Sequence, residues 1–164
     1  MSIHSGTTGK SPGRWRERLK KVFHFDSSRG PYRAEAAVVW CFDDRFHLAF
    51  SKFLKRSGLA KIDVVKVAGG ARCLASPAPD GDRDFVLEQI RTSVRLHATP
   101  RVILMVHSDC GGYGGLEAFG GDAGAEAIHH EQELRRAAEC VRAEIPEIEV
   151  QGYFVNFEGV WAVD

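Results

Sequence analysis

Four short stretches of this chain are rich in apolar residues: 36–40, 62–67, 102–106 and 150–155. They are too short for helices and predict strands, of which 36–40 reads as a buried one and 102–106 is the most apolar. Between them the pattern changes to one apolar residue every three or four positions. Phe46, Ala49, Phe50, Phe53 and Leu54 share one helical face and stop at Gly58. Val86, Ile90 and Val94 form a second stripe, with Asp82 or Asp84 placed to cap it. Leu134, Ala137, Ala138, Val141 and Ile145 form a third, broken by Pro146. Near the start, Trp15, Leu19, Val22 and Phe23 predict an amphipathic helix over 13–24. Residues 75–82 and 111–124 are rich in turn residues and read as loops.

Strands that alternate with helices predict an α/β fold. The expected architecture is a central, mostly parallel sheet of four to five strands flanked by helices. An N-terminal helical arm precedes it, giving residues 1–33 as arm and 34–164 as domain. No internal repeat interrupts this order.

The chain has 164 residues, which suits one such domain. No apolar run approaches the ~20 residues that span a membrane. Residues 1–13 are polar and lack the apolar stretch of a secretory signal, so a soluble, cytoplasmic protein is expected. The net charge of zero is unevenly spread. Residues 1–33 hold eight Lys/Arg against Glu17 and Asp26, a net of +6, which leaves −6 on the remainder. A basic arm on an acidic body fits contact with another subunit ahead of contact with an anionic surface. No stacking-rich motif accompanies the charge, so nucleic acid is not an expected partner, and neither is a membrane. Four cysteines in a chain of this kind suit metal or catalytic use better than disulfides. Cys140 lies on an apolar helix face and reads as core. Cys73 follows a glycine pair and has no partner at ligand spacing.

Two motifs sit where strands end. Cys41-Phe42-Asp43-Asp44-Arg45 follows the first strand, and His107-Ser108-Asp109-Cys110-Gly111 follows the third. The second strand ends in Ala68-Gly69-Gly70. Parallel sheets gather ligands at the carboxyl ends of their strands, so the three ends converge on one spot. Two cysteines and a histidine suit zinc, and three protein ligands leave the fourth position for water. Water on zinc ionises near neutral pH and becomes a nucleophile. Cys41, His107 and Cys110 are the candidate ligands. Asp43 next to Arg45 would orient the hydroxide; an ordinary ion pair is the simpler alternative. Gly69, Gly70 and Gly111 would let backbone approach a small substrate, with Phe42, Tyr113 or a second subunit as the wall. Asp44 and Asp109 read as supporting or surface groups. His129 and His130 are adjacent on a helix and point ~100° apart, so they do not read as a metal pair. His130 falls in line with Leu134 and reads as packing. The glycines at 111–115 lack the Lys-Ser/Thr of a phosphate loop.

In this order, the motifs resemble those of the β-class carbonic anhydrase family. Its pattern is Cys-x-Asp-x-Arg after the first strand, Ala-Gly-Asn or Ala-Gly-Gly after the second, and His-x-x-Cys-Gly after the third. Gln151-Gly152-Tyr153-Phe154-Val155 through Gly159 is similar to the family's last strand and hairpin. The likeness runs from about residue 36 to the end. It departs at Val106, where the family usually has glycine, and in the glycine-rich stretch after Cys110. The resemblance implies Zn2+ on Cys41, His107 and Cys110 and a catalytic Asp43–Arg45 dyad. It implies reversible hydration of carbon dioxide to bicarbonate by zinc-bound hydroxide. In some members the aspartate leaves its arginine and becomes the fourth zinc ligand, which closes the site; here that would be Asp43. It also implies a homodimer or higher homo-oligomer, with the arm lying on the partner. Relatives with the same ligands hydrolyse carbonyl sulfide or carbon disulfide. A zinc-bearing, non-catalytic dimeric protein is the remaining alternative.

Overall fold

The computed structural model describes residues 19–77 and 81–163. The chain divides into two units, residues 1–31 and 32–164. In the first unit, residues 19–31 contain neither helix nor strand. The helix expected over 13–24 is therefore not formed at 19–24, and 13–18 lie outside the described residues. Leu19, Val22 and Phe23 are exposed.

The second unit is a five-stranded sheet with helices on both faces. Strand β1 is Ala36–Trp40, β2 Ile62–Lys66, β3 Arg101–His107, β4 Glu149–Val155 and β5 Val160–Val163. The spatial order is β2-β1-β3-β4-β5. The first four are parallel, and β5 returns antiparallel to β4 as a hairpin. The helices are α1 (His47–Arg56), α2 (Arg72–Ala75), α3 (Asp82–His97) and α4 (Ala123–Glu144). No helix among the described residues is long and apolar enough to cross a membrane.

The two-residue period of the strands sorts their side chains into two cores. Val39, Val102, Leu104 and Val106 face α2, α3 and α4 together with Leu74, Ile90, Leu134 and Val141. Val38, Trp40, Ile103 and Met105 face α1 together with Phe46, Phe50 and Leu54. Trp40 stacks on Phe50 with ring centroids 5.4 Å apart. Both faces of β1 and β3 are covered, which is why these strands are apolar throughout. Val106 fills the first core.

Two local expectations change. Gly81, at φ +85°, stands at the N-cap of α3, and neither Asp82 nor Asp84 caps it. The helix begins at Asp82 itself, so both acids lie in the first turn, where they complement the helix dipole. The short helix α2 was not legible in the sequence; its four residues are too few to show a period.

Candidate metal centre

Strands β1 and β3 run parallel with Val39 opposite Leu104, so Cys41 and His107 emerge at the same edge of the sheet. The turn after β2 is drawn under that edge. Gly70 lies so close to β3 that an added Cβ would fall 2.3 Å from the Met105 carbonyl oxygen and 3.1 Å from the Cys41 nitrogen. A Cβ on Gly112 would fall 2.7 Å from the Gly69 nitrogen. At these two positions only glycine allows three backbone segments to meet.

Where they meet, Cys41, His107 and Cys110 form a buried group whose donor atoms all lie within 4.8 Å of one another. The two sulfurs are 3.9 Å apart. His107 is fully buried between Phe46 and Trp40. Its Nδ1–H donates to the Ser108 carbonyl at 2.8 Å. A carbonyl only accepts, so in the neutral ring Nε2 carries a bare lone pair. Nε2 is buried and has no hydrogen-bond partner among the described residues. Such an orphan is costly unless something fills it. A soft divalent cation bound by two thiolates and an imidazole fits this donor set. The two thiols do not behave alike. The hydrogen bond from the Cys110 thiol pulls Cys41 well below the usual thiol range, and the same bond, with burial, pushes Cys110 up.

Asp43 Oδ2 lies 3.9 Å from His107 Nε2. Its carboxylate accepts from the Arg45 main-chain N–H at 3.0 Å, which starts the 3-10 turn Asp44–Phe46. Arg45 Nε donates to both of its oxygens at 3.1 Å, and Nη2 donates to Oδ2 at 2.7 Å. The side-chain hydrogen bonds from Arg45 hold the Asp43 carboxyl below the usual carboxylate range. The guanidinium also lies over the rings of Phe46 and Phe157, at 5.8 Å from each centroid.

A family model described as "Putative carbonic anhydrase" matches residues 33–163. The chain belongs to that carbonic anhydrase family. Solved structures with the same fold include β-carbonic anhydrase isoform I from the protozoan Trichomonas vaginalis. It is 15% identical with a TM-score of 0.57, and the match covers 85% of this chain and 87% of that one. The carbonic anhydrase from Streptococcus mutans is 19% identical with a TM-score of 0.57, covering 85% and 88%. That from Glaciozyma antarctica is 20% identical with a TM-score of 0.52, covering 82% and 84%. At these identities the likeness is one of fold. A comparison with curated proteins finds no match.

In this member of the carbonic anhydrase family, a cavity of about 310 Å³ opens beside Cys41, lined by Phe42, Asp43, Ala68, Gly69, Gly111 and Gly112. Gly70 does not line it; it sits beneath, against β3. Tyr113 does not line it either. Its hydroxyl donates to Glu133 Oε2 at 3.2 Å, and its ring packs edge-on against His130. Cys73 stands apart from the thiol pair: its Sγ–H donates to the Gly70 carbonyl at 3.2 Å, and burial pushes the thiol up to about 11. Cys140 is partly buried against the core, and His130 is fully buried among Tyr113, Phe119 and Phe154. Asp44 makes none of the side-chain contacts found at the centre.

Three supporting residues escaped sequence reasoning or were undervalued by it. Asp109 binds Arg45 from the side opposite Asp43. Glu126 and Glu133 are buried on α4. Glu126 accepts from the Asp109 N–H at 2.6 Å. Glu133 accepts from Ser76 Oγ at 2.7 Å, from Tyr113 and from Arg136. A signal for them was present. Glu126, His130, Glu133, Leu134, Ala137 and Val141 follow helical spacing along one stripe. Carboxylates in phase with an apolar stripe are bound for the interior and need partners there.

Proposed function

We propose that this chain is a zinc-dependent carbonic anhydrase that reversibly hydrates carbon dioxide to bicarbonate. The observation that carries the reading is the orphaned Nε2 of His107, gathered with two thiols at the convergence of the strand ends. Cys41, His107 and Cys110 would hold the metal. Zinc bound there supplies a Lewis-acid centre that brings the ionisation of water toward neutral pH.

The protein's own part is positioning. The Ser108 carbonyl fixes the His107 ring and its tautomer. Asp43, kept ionised by Arg45, is purely an acceptor. It takes a hydrogen bond from the nucleophile and so turns a lone pair toward the carbon of the substrate. Phe42 and Ala68 offer an apolar wall to a small, linear, uncharged molecule, while Gly69 and Gly111 leave it room. Asp43 freed from Arg45 is itself a metal ligand in reach, so the same pair sets an open and a closed form. The exposed Leu19, Val22, Phe23 and Phe25 we assign to contact with a second copy of the chain, as a homodimer.

Zinc content measured with carbon dioxide hydration by stopped flow tests the reading. About one zinc per chain with turnover supports it. No zinc in protein made with zinc supplied overturns it. Turnover of carbonyl sulfide or carbon disulfide, with none of carbon dioxide, would replace the substrate and keep the centre.

A further inference from the structure

Arg45 is held by two carboxylates, and the function proposed above uses only one. Asp109 takes the far side of the guanidinium. Its Oδ2 accepts from Nη1 at 2.8 Å, and its main-chain oxygen accepts from Nη2 at 2.8 Å. Asp109 lies between His107 and Cys110 in the chain and has φ +50°, a conformation that costs a non-glycine residue energy. Two further bonds hold it there. Its N–H donates to Glu126 Oε1 at 2.6 Å, and its Oδ1 accepts from the Leu116 N–H at 3.0 Å. Glu126 is 1% exposed and sits on the long helix α4. A rigid helix thus fixes the Asp109 backbone through a buried carboxylate, and Asp109 in turn fixes the guanidinium.

We propose that Asp109 is a positioning residue: it anchors Arg45 to the end of β3, so that Asp43 is held clear of the metal ligands. This rests on the function proposed above. Asp43 and Arg45 are two residues apart on one short turn. A pair tethered only to itself does not define a place in space, because the arginine can follow the aspartate wherever it moves. Asp109 supplies the outside reference, 64 residues away along the chain. Its removal has two opposing electrostatic effects. Arg45 loses a fixed contact, and its whole charge falls on Asp43. The Arg45 and Asp109 side chains are 45% and 42% exposed, so solvent screens the charge effect. The loss of directed hydrogen bonds is not screened away and decides the outcome. For the same reason Asp109 adds little to folding, which separates positioning from a merely structural role.

The test uses the zinc-loaded full chain and Asp109→Gly. Glycine adopts positive φ freely, so this change deletes the carboxylate while the main-chain N–H and oxygen stay in place. The expected result has three parts. Zinc content is kept, and the protected Arg45 Nη1–H resonance in 15N NMR, the proton donated to Asp109, is lost. X-ray absorption shows an added oxygen ligand on zinc as Asp43 moves in. Turnover falls ~10-fold, the scale of one charge-assisted hydrogen bond. An Arg45 resonance and a zinc shell that both match the unmodified chain overturn the proposal. Asp109→Asn, which tolerates the same φ, is the second variant should the first not fold: a weakened Arg45 resonance supports the proposal and an unchanged one overturns it. If the unmodified chain takes up no zinc, the proposed function falls, and the Arg45 resonance still decides whether Asp109 holds the guanidinium.

Discussion

The single hydrogen bond from His107 Nδ1 to the Ser108 carbonyl, 2.8 Å long, decides what the other ring nitrogen can do. It makes Nε2 a lone-pair donor on a fully buried ring, with no hydrogen-bond partner among the described residues. Around it the structure has arranged two thiols rather than a polar partner.

The first expectation follows from that arrangement. Cys41→Ser, Cys110→Ser and His107→Ala should each lose zinc by elemental analysis, since a two-ligand remnant no longer encloses a tetrahedral ion. A chelator should lower the melting temperature of the unmodified chain and leave that of the variants nearly unmoved. Zinc at 100 times its dissociation constant is worth about 2.7 kcal/mol of apparent stability. Equal chelator sensitivity in Cys41→Ser would place the ion elsewhere.

Arg45 and Asp43 should give different defects when each is removed. Arg45→Ala frees Asp43 to move toward the ligands, so zinc is retained and X-ray absorption should show an extra carboxylate oxygen. Asp43→Ala has no carboxylate to move and should show none. Both should lose at least ~10² in carbon dioxide hydration, the usual cost of removing a well-aimed catalytic group. Arg45→Ala with unaltered turnover would reduce the dyad to an ion pair.

Close backbone approach can be separated from conformational strain with two glycines. Gly58 has φ +72° with nothing within 4 Å of an added Cβ. Gly58→Ala should therefore cost only the left-handed strain, about 1–2 kcal/mol. Gly70 has φ +56° and a carbonyl oxygen 2.3 Å from that Cβ. Gly70→Ala adds a clash with backbone that cannot swing away, for a total of about 2–5 kcal/mol. It should also weaken zinc binding, because the Cys41 nitrogen is the next atom displaced. Urea midpoints for the two variants give the comparison; equal losses would mean that the turn under β3 yields easily.

Asp63 links the start of the domain to α3 and should impose a pH dependence. It accepts from Ser93 Oγ at 2.6 Å, from His97 Nδ1 at 2.7 Å and from the Tyr32 hydroxyl at 2.7 Å. Burial pushes its carboxyl up, but the hydrogen bonds from Ser93, His97 and Tyr32 outweigh it and leave the group below its ordinary value. A carboxylate depressed in the folded state stabilises above its unfolded pKa of about 3.9 and loses that contribution as pH falls through the folded value. Asp63→Asn should thus be less stable than the parent at pH 7, with the gap narrowing below about pH 4. A gap that stays constant down to the acid limit would show that Asp63 acts through shape and not through charge.

Much of this molecule was legible along the chain because the relevant signals are local. The strand at residues 36–40 reads from five apolar residues, and α1 from the spacing of Phe50 and Leu54. Cys41, His107 and Cys110 could be named as one group because parallel strands bring their carboxyl ends together whatever the side chains are. Glu126 was missed for the opposite reason: its stripe was visible, but its partner is the N–H of a residue on another element. The N-terminal stripe of Leu19, Val22 and Phe23 shows the limit of periodicity, which states what a helix would bury and not whether residues 19–24 form one in the single chain.

The sequence by itself determined the alternating strands and helices, the two-sided burial of β1 and β3, and the donor set of the centre, since each depends on residues a few positions apart. Only the tertiary structure decided the strand order β2-β1-β3-β4-β5, the nitrogen of His107 that faces the thiols, the approach of Gly70 to Met105, and the second carboxylate on Arg45. These depend on sheet register and on contacts between residues as far apart as Arg45 and Asp109. Such contacts form where packing of the whole sheet and its helices is best, and no local pattern encodes that optimum.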